Sequence, residues 1–305
     1  MPRTLTRTAL FRHSLRDAYA KGIGTCLDAL AWTFSLIPPV ALGAAAAALA
    51  WVAFDVLRIR RSLVLSNIAR AFPHLSLADR VRMGRSSVRS FALTMFEFFA
   101  SGRYFRDARM DVINGDALHA AIAAGKGAYI MVIHIGNWEF LCNRGTHHFA
   151  PVSVLAKDVG RGAGARWVTE KRRKNGCFVI PRNGEVPAAL RIPRLLSENG
   201  IIGFIVDQHK PGGVKAPLFG TPAWTNSGLL QIWMRHKAPI LPAIGRRVGP
   251  NHHEMIFLPE FVVETDPGWK FKETVIKNVE KMNLVVEDMI RLAPDQYFWL
   301  HKRWK

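Results

Sequence analysis

The chain has 305 residues, enough to bury a full core as one large domain or two small ones. Hydrophobic residues make up 49%, including 9 Trp and 18 Phe, and the formal net charge is +19, an excess that suits polyanions: nucleic acid, anionic lipid headgroups or an acidic carrier protein. The three cysteines, Cys26, Cys142 and Cys177, are odd in number and lack CxxC spacing, which fits a reducing compartment and argues against both a disulfide framework and a zinc site.

Residues 1–25 carry Arg3, Arg7, Arg12, Arg16 and Lys21 against one acid, Asp17, a basic leader. From Ala29 to Phe54 only Asp28 and Asp55 flank an uncharged run, long enough to cross a bilayer core of roughly 30 Å and too late and too long for a cleaved signal peptide. Pro38-Pro39 divides it into halves that would not span singly, and cations stand on both sides, so the positive-inside rule gives no orientation. A kinked transmembrane helix and a helical hairpin dipping in from one face both remain open. Residues 58–89 then hold eight arginines against Asp79 alone, a juxtamembrane cation cluster suited to anionic headgroups. Residues 1–57 are thus expected to form leader and anchor, and 58–305 a single further domain.

Pro73 stops one helix, and Ser76 with Asp79 predicts the cap of the next. Along that helix Val81, Val88, Phe91, Met95 and Phe98 form a stripe expected to face the core. From about residue 112 helices and strands alternate. A helix over 114–124 precedes the apolar run Ala128–Ile133, and further strands are expected at Val152–Ala156, Cys177–Ile180 and Ile201–Val206. Between them lie a basic helix, Arg166–Lys174, and a helical segment broken by Pro187 and Pro193. The pattern predicts an α/β fold with a largely parallel sheet covered by helices on both faces. Residues 211–225 read as a Gly/Pro-rich loop and 226–237 as a helix. Ile240–Arg247 and His253–Leu258 are expected to pair as a hairpin, and Val275, Val279, Met282, Val286 and Met289 mark a long amphipathic helix ending at Pro294.

The chain's chemistry centres on Gly125–Phe140. His134 follows a strand buried on both faces, Gly136-Asn137 supply a turn, and Glu139 falls in the first turn of the next helix, where its charge suits the helix dipole. A second buried strand ends in Asp207-Gln208, and neighbouring parallel strands would bring both ends to one crevice. His134 has an ordinary pKa near neutrality and is the natural general base; Glu139 and Asp207 both qualify to orient it. GxSxG, HExxH and the P-loop are absent, and Gly162-Ala-Gly164 does not make a dinucleotide fingerprint. The adjacent pairs His147-His148 and His252-His253 diverge in regular structure and make poor metal ligands. What remains is a base activating a hydroxyl for direct attack on a bound acyl group.

His134-Ile-Gly-Asn-Trp-Glu139 resembles the H-x4-(D/E) signature of lysophospholipid-type acyltransferases. Its companions, in order, are Arg61–Ile68, Ala71-Phe72-Pro73, Gly125-Lys-Gly127, Asp207-Gln208, Phe219-Gly220, Thr225, Pro294-Asp-Gln296 and Trp299–Arg303. Together these make the chain resemble the lipid A lauroyl and myristoyl acyltransferases over about residues 30–305. The resemblance implies a glycerol-3-phosphate-acyltransferase-like sheet and transfer of a fatty acyl chain, from acyl carrier protein or acyl-CoA, to a hydroxyl of a lipid A precursor at the cytoplasmic face of the inner membrane. It implies no cofactor and no metal. It casts His134 as base and Glu139 as the acidic motif residue, with Asp207 placed where some relatives orient the histidine. It places a donor-side arginine on the helix of Lys171–Lys174, leaving Arg172 and Arg173 both open, and suggests Asn137, Gln208, Phe219, Gly220 and Arg303 near substrate. Another lipid acceptor, whether lysophospholipid, aminolipid or phosphatidylinositol glycolipid, keeps the same chemistry. A non-enzymatic basic protein binding membrane or nucleic acid would rest on charge alone, and no nucleic acid is expected as partner.

Overall fold

The computed structural model describes residues 7–156, 162–181 and 188–305, so Arg3 of the leader and Pro187 lie outside the described residues. The apolar segment folds as two helices, α1 (Arg7–Leu36) and α2 (Pro39–Trp51), joined by a corner at Pro38 and both packed along α4, with α2 running on through one π-helical turn over Val52–Val56. Pro39 sits in the first turn of α2, where its missing N–H costs nothing. Leu42, Ala46, Ala50 and Phe54 recur every four residues and are buried, while most of the remaining surface of α2 is exposed.

Two helices follow, α3 (Arg61–Ala71) and α4 (Leu77–Phe99), the second capped as expected by Ser76, whose hydroxyl accepts from the Asp79 N–H at 3.2 Å. α4 is the long strut of the molecule: of the expected stripe Val88 and Phe98 are buried while Val81, Phe91 and Met95 are only half-buried, and Phe54 of the π-helical turn seats against Gly84, where a Cβ would stand 2.7 Å from the ring. Short α5 (Ser101–Asp107) leads into the sheet region.

There the chain alternates β1 (Arg109–Ile113), α6 (Asp116–Ala123), β2 (Ala128–Val132), α7 (Trp138–His148), β3 (Val152–Ala156), α8 (Ala163–Lys174), β4 (Cys177–Pro181), α9 (Ala188–Ser197) and β5 (Ile201–Ile205). After β5 come β6 (His209–Leu218), β7 (Thr221–Thr225), α10 (Gly228–Trp233), β8 (Ile240–Gly249), β9 (His252–Phe257) and α11 (Phe271–Arg291). Among the described residues the main sheet has seven strands in the order β1-β9-β8-β2-β5-β3-β4. β2 pairs in parallel with both β5 and β8, and β3 with β5 and β4, while β9 turns back antiparallel on β8 and takes β1 in parallel beside it. The expected central strand, its neighbour ending in Asp207 and the 240–258 hairpin are all present. α11 buries Val275, Val279, Met282, Val286 and Met289, the five residues that marked it.

Three expectations need correction. Residues 211–225 form not a loop but most of an antiparallel ribbon, β6–β7, whose tight turn at Phe219-Gly220 puts both residues at positive φ; its prolines and glycines hide the strand pattern, and ribbon pairing tolerates them where central strands would not. Pro193 lies inside α9 rather than ending it, the lost hydrogen bond being offset by Ile192 and Leu196 packed into the core. Cys142 of α7 and Cys177 of β4 form a disulfide with Cα atoms 5.8 Å apart, leaving Cys26 free. An odd count and a 35-residue separation concealed a pair that helix-on-sheet packing brings together.

Candidate functional site

β2 and β5 lie side by side with Val132 opposite Ile205, so the residues just beyond, His134 and Asp207, emerge together at the carboxyl edge. His134 Nδ1 is 2.8 Å from Asp207 Oδ1, and the His134 backbone N–H donates to Oδ2 at 2.9 Å. Both carboxylate oxygens are thus spent on one residue, which fixes the ring's orientation and puts the proton on Nδ1. Burial works against the charge of Asp207, but the imidazole, these hydrogen bonds and the nearby Arg303 guanidinium together hold its carboxyl below the usual range. The far nitrogen, Nε2, faces the side chain of Gln208 at 3.4 Å. Trp138 and Phe298 wall the ring at centroid distances of 5.0 and 6.0 Å.

The turn carrying His134 is held from four directions. Gly136 adopts φ +57° against β8, where a Cβ would overlap the Gly245 carbonyl oxygen, and the Gly136 carbonyl accepts from the Thr94 hydroxyl at 2.7 Å. The His134 carbonyl accepts from Phe298 N–H at 2.9 Å, and Gly136 N–H donates to the Gln296 carbonyl at 3.2 Å. Asn137 caps α7, its Oδ1 accepting from Phe140 N–H at 2.8 Å, while its Nδ2 donates at 2.6 Å to Glu97, a buried carboxylate on α4. Glu97 also accepts from Arg247 at 2.6 Å and from the Tyr104 hydroxyl at 2.8 Å. Tyr104 in turn meets His253 Nε2 at 2.9 Å. Sequence reasoning missed Glu97 and Arg247; an acid amid the apolar Thr94–Phe99 run was the one available signal.

Glu139 does not touch the imidazole. It receives a two-pronged grip from Arg172 of α8, Nε at 3.0 Å to Oε2 and Nη2 at 2.5 Å to Oε1, with both side chains largely buried. Burial alone would loosen the proton of Arg172, but the Glu139 charge holds it more firmly than usual. Arg173 points outward to Glu170 on an exposed face.

Below His134 a cavity of about 480 Å³ runs between α7 and the sheet. Its rim is polar, with His134, Glu139, Arg172, Gln208, Lys210 and Asn226. Its depth is apolar: Val132 and Ile130 descend one side of β2, Ile205, Gly203 and Ile201 the same side of β5, and Leu141, Cys142, Gly145 and Phe149 line the helix wall. The stagger from His134 to the level of Ile201 covers six strand residues, about 20 Å at roughly 3.3 Å each.

Of the residues expected near substrate, His134, Glu139, Arg172 and Gln208 line this cavity, and Asp207 stands behind the imidazole. Asn137, Arg173, Phe219, Gly220 and Arg303 do not line it. Asn137 is turned inward as a cap. Phe219 caps the β6–β7 ribbon, its N–H donating to Glu287 at 2.6 Å and its ring packed on Phe72, and Gly220 completes the turn. Arg303 is buried, donating to the Trp224 carbonyl and the Thr225 hydroxyl at 2.9 and 2.8 Å, and reaches Asp207 only through its field. Asn67 likewise donates to the carbonyls of Trp299 and His301, both at 2.8 Å. These motif residues bind the C-terminal segment across the back of the site. The two histidine pairs do not converge either: His252 meets Asp111 at 2.8 Å while His253 turns to Tyr104.

An oriented imidazole stands at the mouth of an apolar cavity with a bound guanidinium beside it, an arrangement with room for an alkyl chain next to a base. Comparison with known proteins agrees. Residues 20–305 match the family model for bacterial lipid A biosynthesis acyltransferases, and the chain belongs to that family. It is 24% identical over 265 residues to the lipid A biosynthesis palmitoleoyltransferase of Escherichia coli (strain K12), covering 82% of this chain and 80% of that one. It is 23% identical over 277 residues to the lauroyltransferase of the same organism, covering 83% and 82%. The phosphatidylinositol mannoside acyltransferase of Mycolicibacterium smegmatis matches at 26% over 136 residues, 44% of this chain and 45% of that one. The protein is an acyltransferase acting on a lipid acceptor.

Proposed function

We propose that the chain transfers a fatty acyl group from acyl carrier protein to a hydroxyl of a lipid A precursor, at the cytoplasmic face of the inner membrane, by direct attack with His134 as general base. The acyl chain of the donor lies in the apolar cavity with its thioester carbonyl at the rim. The acceptor hydroxyl approaches His134 Nε2, which takes its proton as oxygen attacks the carbonyl; the tetrahedral intermediate collapses, the thiolate leaves, and the imidazolium returns the proton to sulfur. Asp207 stabilises the imidazolium. Arg172, already held by Glu139, and the Gln208 amide are the polar groups on the rim for the developing oxyanion.

The observation that carries the reading is the His134–Asp207 pair at 2.8 Å standing over an apolar cavity. The donor is inferred from charge: at +19 the molecule favours an acidic carrier, and the same charge suits a phosphorylated acceptor. The test uses the full chain in detergent with acyl carrier donors, acyl-CoA donors and a tetra-acylated lipid A precursor, the products being weighed. His134→Ala is expected to lower transfer by roughly 10²- to 10⁴-fold, and near-normal transfer by that variant overturns the mechanism. Lipid A that gains no acyl group, alongside an acylated lysophospholipid or glycolipid, moves the acceptor to that class.

A further inference from the structure

We infer that the apolar corner formed by α1 and α2 enters one leaflet only and does not cross the membrane, a statement that rests on the membrane attachment proposed above. By length alone a crossing is available: Pro39–Val56 is 18 residues, about 27 Å of helix, and is the one stretch among the described residues apolar enough. What forbids it is where the chain goes at either end.

At its far end the segment is fastened to the catalytic body. Phe54 is buried against Val64 and Gly84, and Asp55 accepts from Arg61 at 2.7 Å and from Arg85 at 2.5 Å. At its near end α1 is fastened to the same body. Trp167 of α8 donates its indole N–H to Asp28 at 2.7 Å, Ala31 is buried with Phe98 and Trp167, and the Phe34 ring meets Phe96 and Phe99 at 5.1 and 5.6 Å. Arg103 reaches the Ser35 carbonyl, three residues before Pro38, at 3.4 Å. Both ends of α2 therefore lie on one side of the bilayer, which excludes a single crossing.

A double crossing fails on length. The uncharged limb leading into the corner, Ala29–Ile37, is nine residues, roughly 13 Å of helix and less than half the hydrocarbon core. Between its ends α2 keeps its buried stripe on α4, and a side chain at Gly43 would first meet the Arg89 guanidinium, at 3.8 Å. Placing α2 through the core would carry this exposed arginine toward the bilayer centre, at a cost of at least about 2.5–3.5 kcal/mol.

What the two helices offer instead is a half-sided surface. Trp32, Leu36, Val40, Leu49, Trp51 and Val56 are all exposed, Val40 by 69% and Trp51 by 56%. Two tryptophans on an apolar face, with Arg58 and Arg60 exposed at its end, match the acyl–headgroup boundary of an anionic leaflet.

The test is cysteine labelling of the full chain in inner-membrane vesicles of both orientations, with a membrane-impermeant maleimide. The native free Cys26 reports on α1, and Arg58→Cys and Val40→Cys, each in a Cys26→Ser background, report on the chain after α2 and on the corner. Cys26 and Arg58→Cys are expected to label from the same face, with Val40→Cys labelled from neither until detergent is added. Labelling of Cys26 and Arg58→Cys from opposite faces, or of Val40→Cys from the face opposite Arg58→Cys, shows a crossing and overturns the inference. Labelling of Val40→Cys from the same face as the others shows both helices outside the bilayer and overturns it equally. Acyl transfer measured in the same vesicles separates the two readings. Transfer with crossing labels sinks only the topology, and the expected labels without transfer from any donor sink only the function.

Discussion

Asp207 lines no cavity, yet under the proposed mechanism the site depends on its charge. Asp207→Asn preserves the shape but exchanges an acceptor for a donor beside Nδ1, which reverses the tautomer and removes the counter-charge of the imidazolium. Transfer is expected to fall by roughly 10²- to 10⁴-fold with little change in thermal stability, read by kcat and a melting curve. The Glu97–Arg247 pair works one layer deeper. Removing only the arginine, in Arg247→Met, leaves a buried carboxylate uncompensated and should cost about 3–5 kcal/mol in denaturant unfolding. The double variant Glu97→Leu/Arg247→Met is expected to regain much of that stability while transfer stays low, because Asn137 has lost the acceptor that fixes its amide over the α7 terminus. A double variant as active as the parent would show that the network only supports the core. His253, in the same network, is buried and neutral: desolvation, then the Arg247 charge, push its pKa down to about 2. In the unfolded chain it returns to about 6.5. The unfolded state therefore binds the extra proton between these values, so this contribution to stability is complete above about pH 6.5 and is lost as pH falls toward 2. The slope is at most about 1.4 kcal/mol per pH unit. Urea unfolding at pH 7, 6 and 5 should show it, and His253→Gln should flatten it.

Among the elements, α7 and β5 set the depth of the cavity. Gly203 opens the middle of the β5 wall, and a Cβ there stands 3.1 Å from Val154. Gly203→Leu is expected to abolish use of long acyl donors while sparing short ones, as read from product masses across a donor series. An unchanged chain profile in a folded variant would place the acyl chain elsewhere. β2 and β5 were legible as elements because each is an uninterrupted apolar run followed at once by a polar residue, His134 or Asp207, and parallel neighbours align such ends. The β6–β7 ribbon was not legible, since Pro211, Gly212, Gly213, Pro217 and Pro222 erase the alternation by which a strand is recognised. The role of α8 was legible only in part. Its basic run was plain, but the choice of Arg172 over Arg173 depends on the helix's rotation against α7, which puts one guanidinium on Glu139 and turns the other to Glu170 and solvent.

For the whole molecule, a net charge of +19 beside an exposed apolar face predicts binding to vesicles that is stronger on anionic than on neutral lipid and weakens in part as salt rises. Flotation at two salt concentrations checks this, and salt-independent binding would assign attachment to the apolar face alone. The alternation of helices and strands around β2 to β5, the buried runs of β2 and β5, the histidine after β2 and the apolar stretch of α2 are properties of neighbours along the chain, written in periodicity and composition, and they could be read from the sequence by itself; β1 and the β6–β7 ribbon could not. Which acid meets the histidine, which arginine faces the cavity, that Cys142 meets Cys177 and that both ends of α2 rest on one body were decided by the tertiary structure alone. Each joins residues far apart in sequence, and only sheet order, strand register and helix rotation bring such partners within bonding distance.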